Sequence, residues 1–109
     1  MIDLSGPGLQ VGVVTLGARL ALLRAPDRDG VAADVVLGLA DYDTDTDYLG
    51  ATVGRYANRI AGGTFALDGR RFTVPCNEKD VALHGGPDGF DRQEFRADPV
   101  VTEPGGAGR

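Results

Sequence analysis
A chain of 109 residues with 16 acidic and 11 basic side chains, and so a net charge of −5, is one domain or part of one. The acidic balance argues against a nucleic-acid or anionic-membrane partner, because neutralising phosphates requires a basic face. Seventeen glycines, six prolines and no tryptophan disfavour a helical bundle and favour short strands joined by many turns.

In chain order, Leu9, Val11 and Val13 alternate with Gln10 and Gly12, the period of a first strand that ends at Leu16-Gly17. Arg19 to Arg24 is apolar between charged ends and stops at the turn cluster Pro26-Asp-Arg-Asp-Gly30, so a second strand follows a tight link at Gly17. Val31 to Leu39 contains Val35, Val36 and Leu37, and its β-branched content predicts a third strand. A short helix over Val31–Ala40 is the competing assignment, because two alanines and mixed spacing suit either.

Asp41, Asp43, Asp45 and Asp47 alternate through an acidic loop. A calcium loop starting at Asp41 needs glycine at its sixth position and glutamate at its twelfth, where this chain has Thr46 and Thr52. A solvated loop is the better reading. Asp68-Gly69 is a type I′ hairpin signal between Thr64–Leu67 and Arg70–Val74. A two-residue loop pairs Leu67 with Arg70 and Phe65 with Phe72. Phe65, Leu67, Phe72 and Val74 then share one face of a half-buried antiparallel ribbon. The tail from 102 to 109, rich in glycine, is expected to be disordered.

Cys76 is the only cysteine, so no intramolecular disulfide forms and a reducing cytoplasm is the expected compartment. The first eight residues lack a cationic region followed by an apolar run, so no signal peptide is expected there. No apolar stretch approaches the roughly 18 residues of a membrane span.

The chemistry-bearing residues fall in two glycine-flanked segments, Gly50–Ile60 and Leu83–Asp91. Asn58-Arg59 lies in the first, and His84, the single histidine, lies in the second. Ile60 and Leu83 are the apolar neighbours that anchor them to strands. A guanidinium fork, an amide and an imidazole together suit a neutral, hydroxyl-rich ligand. A bland alternative stands beside each: Arg59 as a surface charge, His84 as a structural residue. Gly85-Gly86 offers close backbone approach to a ligand, whereas Pro87 removes an N–H and makes Gly85–Gly89 a poor phosphate loop. A Cys76–His84 nucleophile lacks a third, orienting group.

The blocks Gly50-Ala-Thr-Val-Gly-Arg55, Ala57-Asn-Arg-Ile60, Gly63-Thr-Phe-Ala-Leu-Asp-Gly69, Asn77-Glu78, Leu83-His-Gly-Gly86 and Gly89-Phe-Asp91 resemble the N-terminal part of the aldose 1-epimerase (galactose mutarotase) family, in its order and spacing. The resemblance is firm from Tyr48 to Glu94, looser from Leu9 to Leu39, and covers roughly the first third of a family member. It implies an all-β fold, with residues 1–101 as the N-terminal portion of an antiparallel β-sandwich of the mutarotase supersandwich type. It implies an isomerase that interconverts the α and β anomers of aldohexoses such as glucose or galactose, without cofactor or metal.

By the same resemblance Asn58 and Arg59 bind the sugar's hydroxyls. His84 binds near the ring oxygen and anomeric carbon as an auxiliary to catalysis. Ring opening needs an acid and a base on opposite sides of the sugar. The family uses a second histidine and a glutamate, both downstream of the Leu-His-Gly-Gly block. One histidine cannot supply that arrangement, and Glu78, Glu94 and Glu103 do not match the glutamate. The catalytic acid/base pair is therefore expected to be absent from this chain, which by itself is expected to be inactive. A sugar-binding module without turnover, or a fragment that needs a complementary C-terminal piece, are the alternatives.

Overall fold
The computed structural model describes residues 1–38 and 48–101. Among these residues all regular structure is extended except one 3-10 turn at Phe90–Arg92, and every strand pairing is antiparallel. The all-β expectation holds. No helix among the described residues is long and apolar enough to cross a membrane. The expected acidic loop at Asp41–Asp47 and the expected disordered tail at 102–109 lie outside the described residues.

Four strands form a meander: β1 (Ile2–Gly6), β2 (Leu9–Val14), β3 (Arg19–Pro26) and β4 (Ala32–Asp34), in that spatial order. β1 carries little signal in the sequence, because Ile2-Asp-Leu-Ser-Gly has only two apolar positions before the turn Gly6-Pro-Gly8. It pairs fully with β2, from Ile2 opposite Val13 to Gly6 opposite Leu9. The link at Gly17 is as tight as expected, with Gly17 and Ala18 both at positive φ.

The third predicted strand is corrected. Among its described residues, 31–38, only Ala32–Asp34 form a strand against β3, with a last backbone bond from Val35 N to Leu23 O at 2.9 Å. Val35 and Leu37 are 63% and 76% exposed, and Leu39 lies outside the described residues. The side chain of Asp34 ends the ladder: its Oδ1 accepts from the backbone N–H of Leu23 and of Val36, each at 3.1 Å. A carboxylate has taken the place of the next backbone acceptor, and the chain bends away.

The second half is built of two ribbons. β5 (Arg59–Ala61) pairs with β8 (Val81–Leu83), while β6 (Thr64–Leu67) pairs with β7 (Arg70–Thr73). The hairpin has the predicted register, Phe65 opposite Phe72 and Leu67 opposite Arg70. Asp68 and Gly69 sit at φ 50° and 73°, as a type I′ turn requires. The two phenyl rings stack with centroids 5.4 Å apart. The expected half-burial is met only at Val74, which is part-buried: Phe65, Leu67 and Phe72 are 39%, 57% and 36% exposed. Pairing fixes which face is apolar, but only another layer buries it, and no described residue supplies one.

The two halves meet at Gly17. Its N–H donates to Gln93 O at 2.8 Å, its carbonyl accepts from Thr52 N at 2.9 Å, and Leu20 N donates to Gly50 O at 2.9 Å. A side chain joins this junction: Arg19, 3% exposed, donates through Nη1 to Leu49 O at 3.1 Å. A Cβ on Gly17 would strike the backbone of Asp91, which is why glycine stands at this junction. Packing elsewhere is open. The radius of gyration is 17.8 Å, against about 13 Å for a compact chain of about 100 residues. Ala82 and Leu83 are the buried apolar residues among those described.

Candidate functional site
The two buried apolar residues underlie the candidate site. Leu83, at the end of β8, lies opposite Arg59 at the start of β5, so the 25 positions between Arg59 and His84 in sequence collapse to neighbours across a ladder. His84 N donates to Asn58 O at 3.1 Å. Hydrogen bonding alternates along an antiparallel pair, so the N–H and C=O of Leu83 turn away from β5. The side chain of Asn77 takes both: its Oδ1 accepts from Leu83 N at 2.7 Å and its Nδ2 donates to Leu83 O at 3.1 Å. Asn77 thus acts as a one-residue third strand that holds the base of His84.

The imidazole is fixed from two sides. Its Nδ1 accepts from the backbone N–H of Asn58 at 3.0 Å. Tyr48 packs on it edge to face, ring centroids 4.6 Å apart, and the Tyr48 hydroxyl accepts from Asn77 Nδ2 at 3.0 Å. A backbone amide can only donate, so Nδ1 presents a lone pair and the proton of the neutral ring lies on Nε2. His84 therefore offers a hydrogen-bond donor outward. Asn58 and His84 both stand at positive φ, 61° and 51°, a conformation uncommon for residues other than glycine and found at functional sites.

Arg59 meets Glu78. The guanidinium donates side-on, Nε to Oε2 at 2.7 Å and Nη2 to Oε1 at 3.1 Å. The Arg59 hydrogen bond and charge hold the Glu78 carboxyl below the usual range, and Glu78 reciprocally raises Arg59. Two of five guanidinium N–H groups are used, which leaves three. The side-chain amide of Asn58 makes no hydrogen bond among the described residues.

Asn58, Arg59 and His84 are thus brought together. Sequence reasoning missed Tyr48, Asn77 as a clamp and Glu78 as the partner of Arg59. The alternation that would have revealed Asn77 exists only once β5 and β8 are paired. The reason assigned to Gly85 and Gly86 is corrected. A Cβ on Gly85, at φ 100°, would collide with the Gly54 carbonyl, and one on Gly86 would lie 3.0 Å from Pro75 O and 3.1 Å from the Tyr56 hydroxyl. The close approach is protein to protein. Cys76 is an exposed free thiol. No group of three or more His, Cys, Asp or Glu among the described residues is placed to hold a metal ion.

The profile of the family described as aldose 1-epimerase matches residues 1–105. Galactose mutarotase of Sus scrofa is 45% identical over 93 residues, which are 83% of this chain and 27% of that protein. Aldose 1-epimerase of Escherichia coli K12 is 38% identical over 92 residues, 82% of this chain and 27% of that one. The crystal structure of a GalM/aldose epimerase homologue from C. elegans superposes with a TM-score of 0.81 at 35% identity, over 92% of this chain and 32% of that one. The chain spans about a quarter of the length of the curated relatives it matches. A match over nearly all its residues, in sequence and in fold, means that this chain belongs to the aldose 1-epimerase family.

Proposed function
We propose that residues 1–101 form the sugar-positioning part of an aldose 1-epimerase site within a larger mutarotase-like β-sandwich domain. The substrate is an aldohexose such as glucose or galactose, and the reaction is exchange of its α and β anomers in the cytoplasm. The observation that carries this reading is the pairing of β5 with β8, which sets Arg59, Asn58 and His84 side by side. Three free guanidinium N–H groups, an unoccupied amide and an imidazole Nε2–H thus belong to one ladder end, and their chemistry suits hydroxyls and a ring oxygen.

In this mechanism Arg59 and Asn58 hold the ring hydroxyls. His84 donates from Nε2 to the ring oxygen or stabilises charge there as the C1–O bond opens. The acid that protonates the ring oxygen and the base that takes the anomeric proton are supplied by a second histidine and a glutamate, as the family resemblance implies. These 109 residues hold one histidine. The chain alone therefore binds sugar without turning it over. Its open apolar faces, Phe65, Phe72 and Leu4 among them, suit cover by the part of the fold that its relatives have in addition.

Polarimetry on freshly dissolved α-glucose or α-galactose tests the reading. The 109-residue chain leaves mutarotation at the buffer rate. A chimaera in which it replaces the matching quarter of a family relative accelerates it. In that chimaera Arg59→Ala loses at least about tenfold, since a hydrogen bond from a charged group contributes roughly 1.5–3 kcal/mol. His84→Ala loses at least about tenfold because it removes both a neutral donor and the contact at the ring oxygen as charge develops there. Turnover by the 109 residues themselves would overturn the placing of acid and base outside them, and full activity of both variants would remove the site.

A further inference from the structure
Glu78 has no part in the sugar chemistry above, yet it is the one acidic group bound to the site's cation among the described residues. Its carboxylate fills the side-on edge of Arg59 at 2.7 and 3.1 Å. Its backbone is fixed in turn: Glu78 N donates to Val81 O at 3.1 Å and Val81 N to Glu78 O at 2.9 Å, with Lys79 at φ 54° in the bend. The carboxylate is thus presented from a closed turn beside β8, not from a free loop.

An unoccupied guanidinium edge is the side-chain geometry best matched to carboxylate and phosphate. Here that edge is filled. An anionic ligand must displace Glu78 or lie beside its negative charge, whereas a hydroxyl needs only one of the three remaining N–H donors. The pair therefore removes the attraction for anions and keeps the donors.

We propose that Glu78 sets the charge selectivity of the sugar site, admitting uncharged aldoses and disfavouring sugar phosphates. This rests on the sugar-site reading of Arg59 and His84. Glu78 acts through Arg59 and is a positioning residue; with its side chain 46% exposed, the pair contributes little to stability, and selectivity does not require that it should.

The test is a titration of the isotope-labelled chain with glucose, glucose 6-phosphate and inorganic phosphate at low salt, read at the Arg59 Nε–H and the Asn58 and His84 amides. In the wild type glucose shifts these signals and phosphate does not. Glu78→Gln raises affinity for glucose 6-phosphate relative to glucose by roughly two- to fivefold, the size that exposed charge pairs carry. It also makes the Arg59 Nε–H respond to inorganic phosphate, and both gains shrink at high salt. Glu78→Asp keeps the charge and the wild-type preference. Glu78→Ser is a second neutral replacement should the glutamine variant fail to fold. A merely structural Glu78 would change affinity for glucose and its phosphate alike. An unchanged ratio in the neutral variants, with glucose still bound by the wild type, overturns this proposal alone. No response of the wild type to any sugar overturns the site reading, and the proposal with it.

Discussion
The backbone N–H of Asn58 donates to Nδ1 of His84 at 3.0 Å, while the N–H of His84 donates to the carbonyl of Asn58 at 3.1 Å. The two residues thus close a reciprocal ring across the end of the β5–β8 ladder, and the ring fixes the imidazole tautomer. Long-range nitrogen-15 correlation spectra of the neutral side chain should show the proton on Nε2. A proton on Nδ1 would contradict the bond and remove the outward donor assigned to His84.

Asn77 holds Leu83 by both peptide groups. Asn77→Ala removes both bonds and leaves the N–H of Leu83 unpaired, a cost of about 1–3 kcal/mol, while the C=O of Leu83 keeps the bond from Gly86 N at 2.9 Å. Amide exchange at Leu83 and His84 should speed up in this variant, while exchange in the Phe65–Phe72 hairpin stays unchanged. Asn77→Asp should restore part of the protection, because it keeps the acceptor for Leu83 N.

Glycine substitutions should separate backbone strain from collision. Gly69 has φ 73° and open space where a methyl group would stand, so Gly69→Ala costs only about 1 kcal/mol. Gly85→Ala combines φ 100° with collision against the Gly54 carbonyl and should cost roughly 2–4 kcal/mol. Denaturant titrations compare the two, Gly69→Ala followed by the Phe65 and Phe72 resonances of its own hairpin and Gly85→Ala by the His84 resonances. Equal effects would mean that the Gly54–Gly85 contact does not form.

The pH dependence of the Arg59–Glu78 pair has a defined sign. The Glu78 carboxyl is lowered from 4.5, first by its hydrogen bond to Arg59. A folded-state pKa below the unfolded one means that the stabilisation is complete above the unfolded value and is lost as pH falls through the lowered folded value. Asp34 behaves alike, lowered from 3.8 by the N–H groups of Val36 and then Leu23. Carboxyl carbon titrations should place both midpoints below those ordinary values. Arg59→Gln should raise the midpoint of Glu78 and leave that of Asp34 in place.

With two buried apolar residues among those described and Phe65, Phe72 and Leu67 open to solvent, the chain alone should bind a hydrophobic dye and unfold without a sharp transition. Phe72→Ser should reduce dye binding without altering the β5–β8 ladder. A sharp cooperative melt of the monomer would contradict this.

Local chemistry settled much of this protein from the sequence. Asp68-Gly69 dictated a type I′ turn, and a two-residue loop leaves one register, so Phe65 faces Phe72 whatever surrounds them. Alternation and glycine-rich punctuation likewise marked β2 and β3, and residue type singled out Asn58, Arg59 and His84, which the β5–β8 pairing brings together. Tertiary structure alone decided the rest, because its causes are contacts between distant residues. Asp34 stops β4 only because Leu23 N lies within reach of its carboxylate. Gly85 is required by Gly54, 31 positions away in the chain. Glu78 meets Arg59 only when the β5–β8 pairing carries the two together, and burial of the hairpin face depends on a layer that a strand's own pattern can call for but cannot supply.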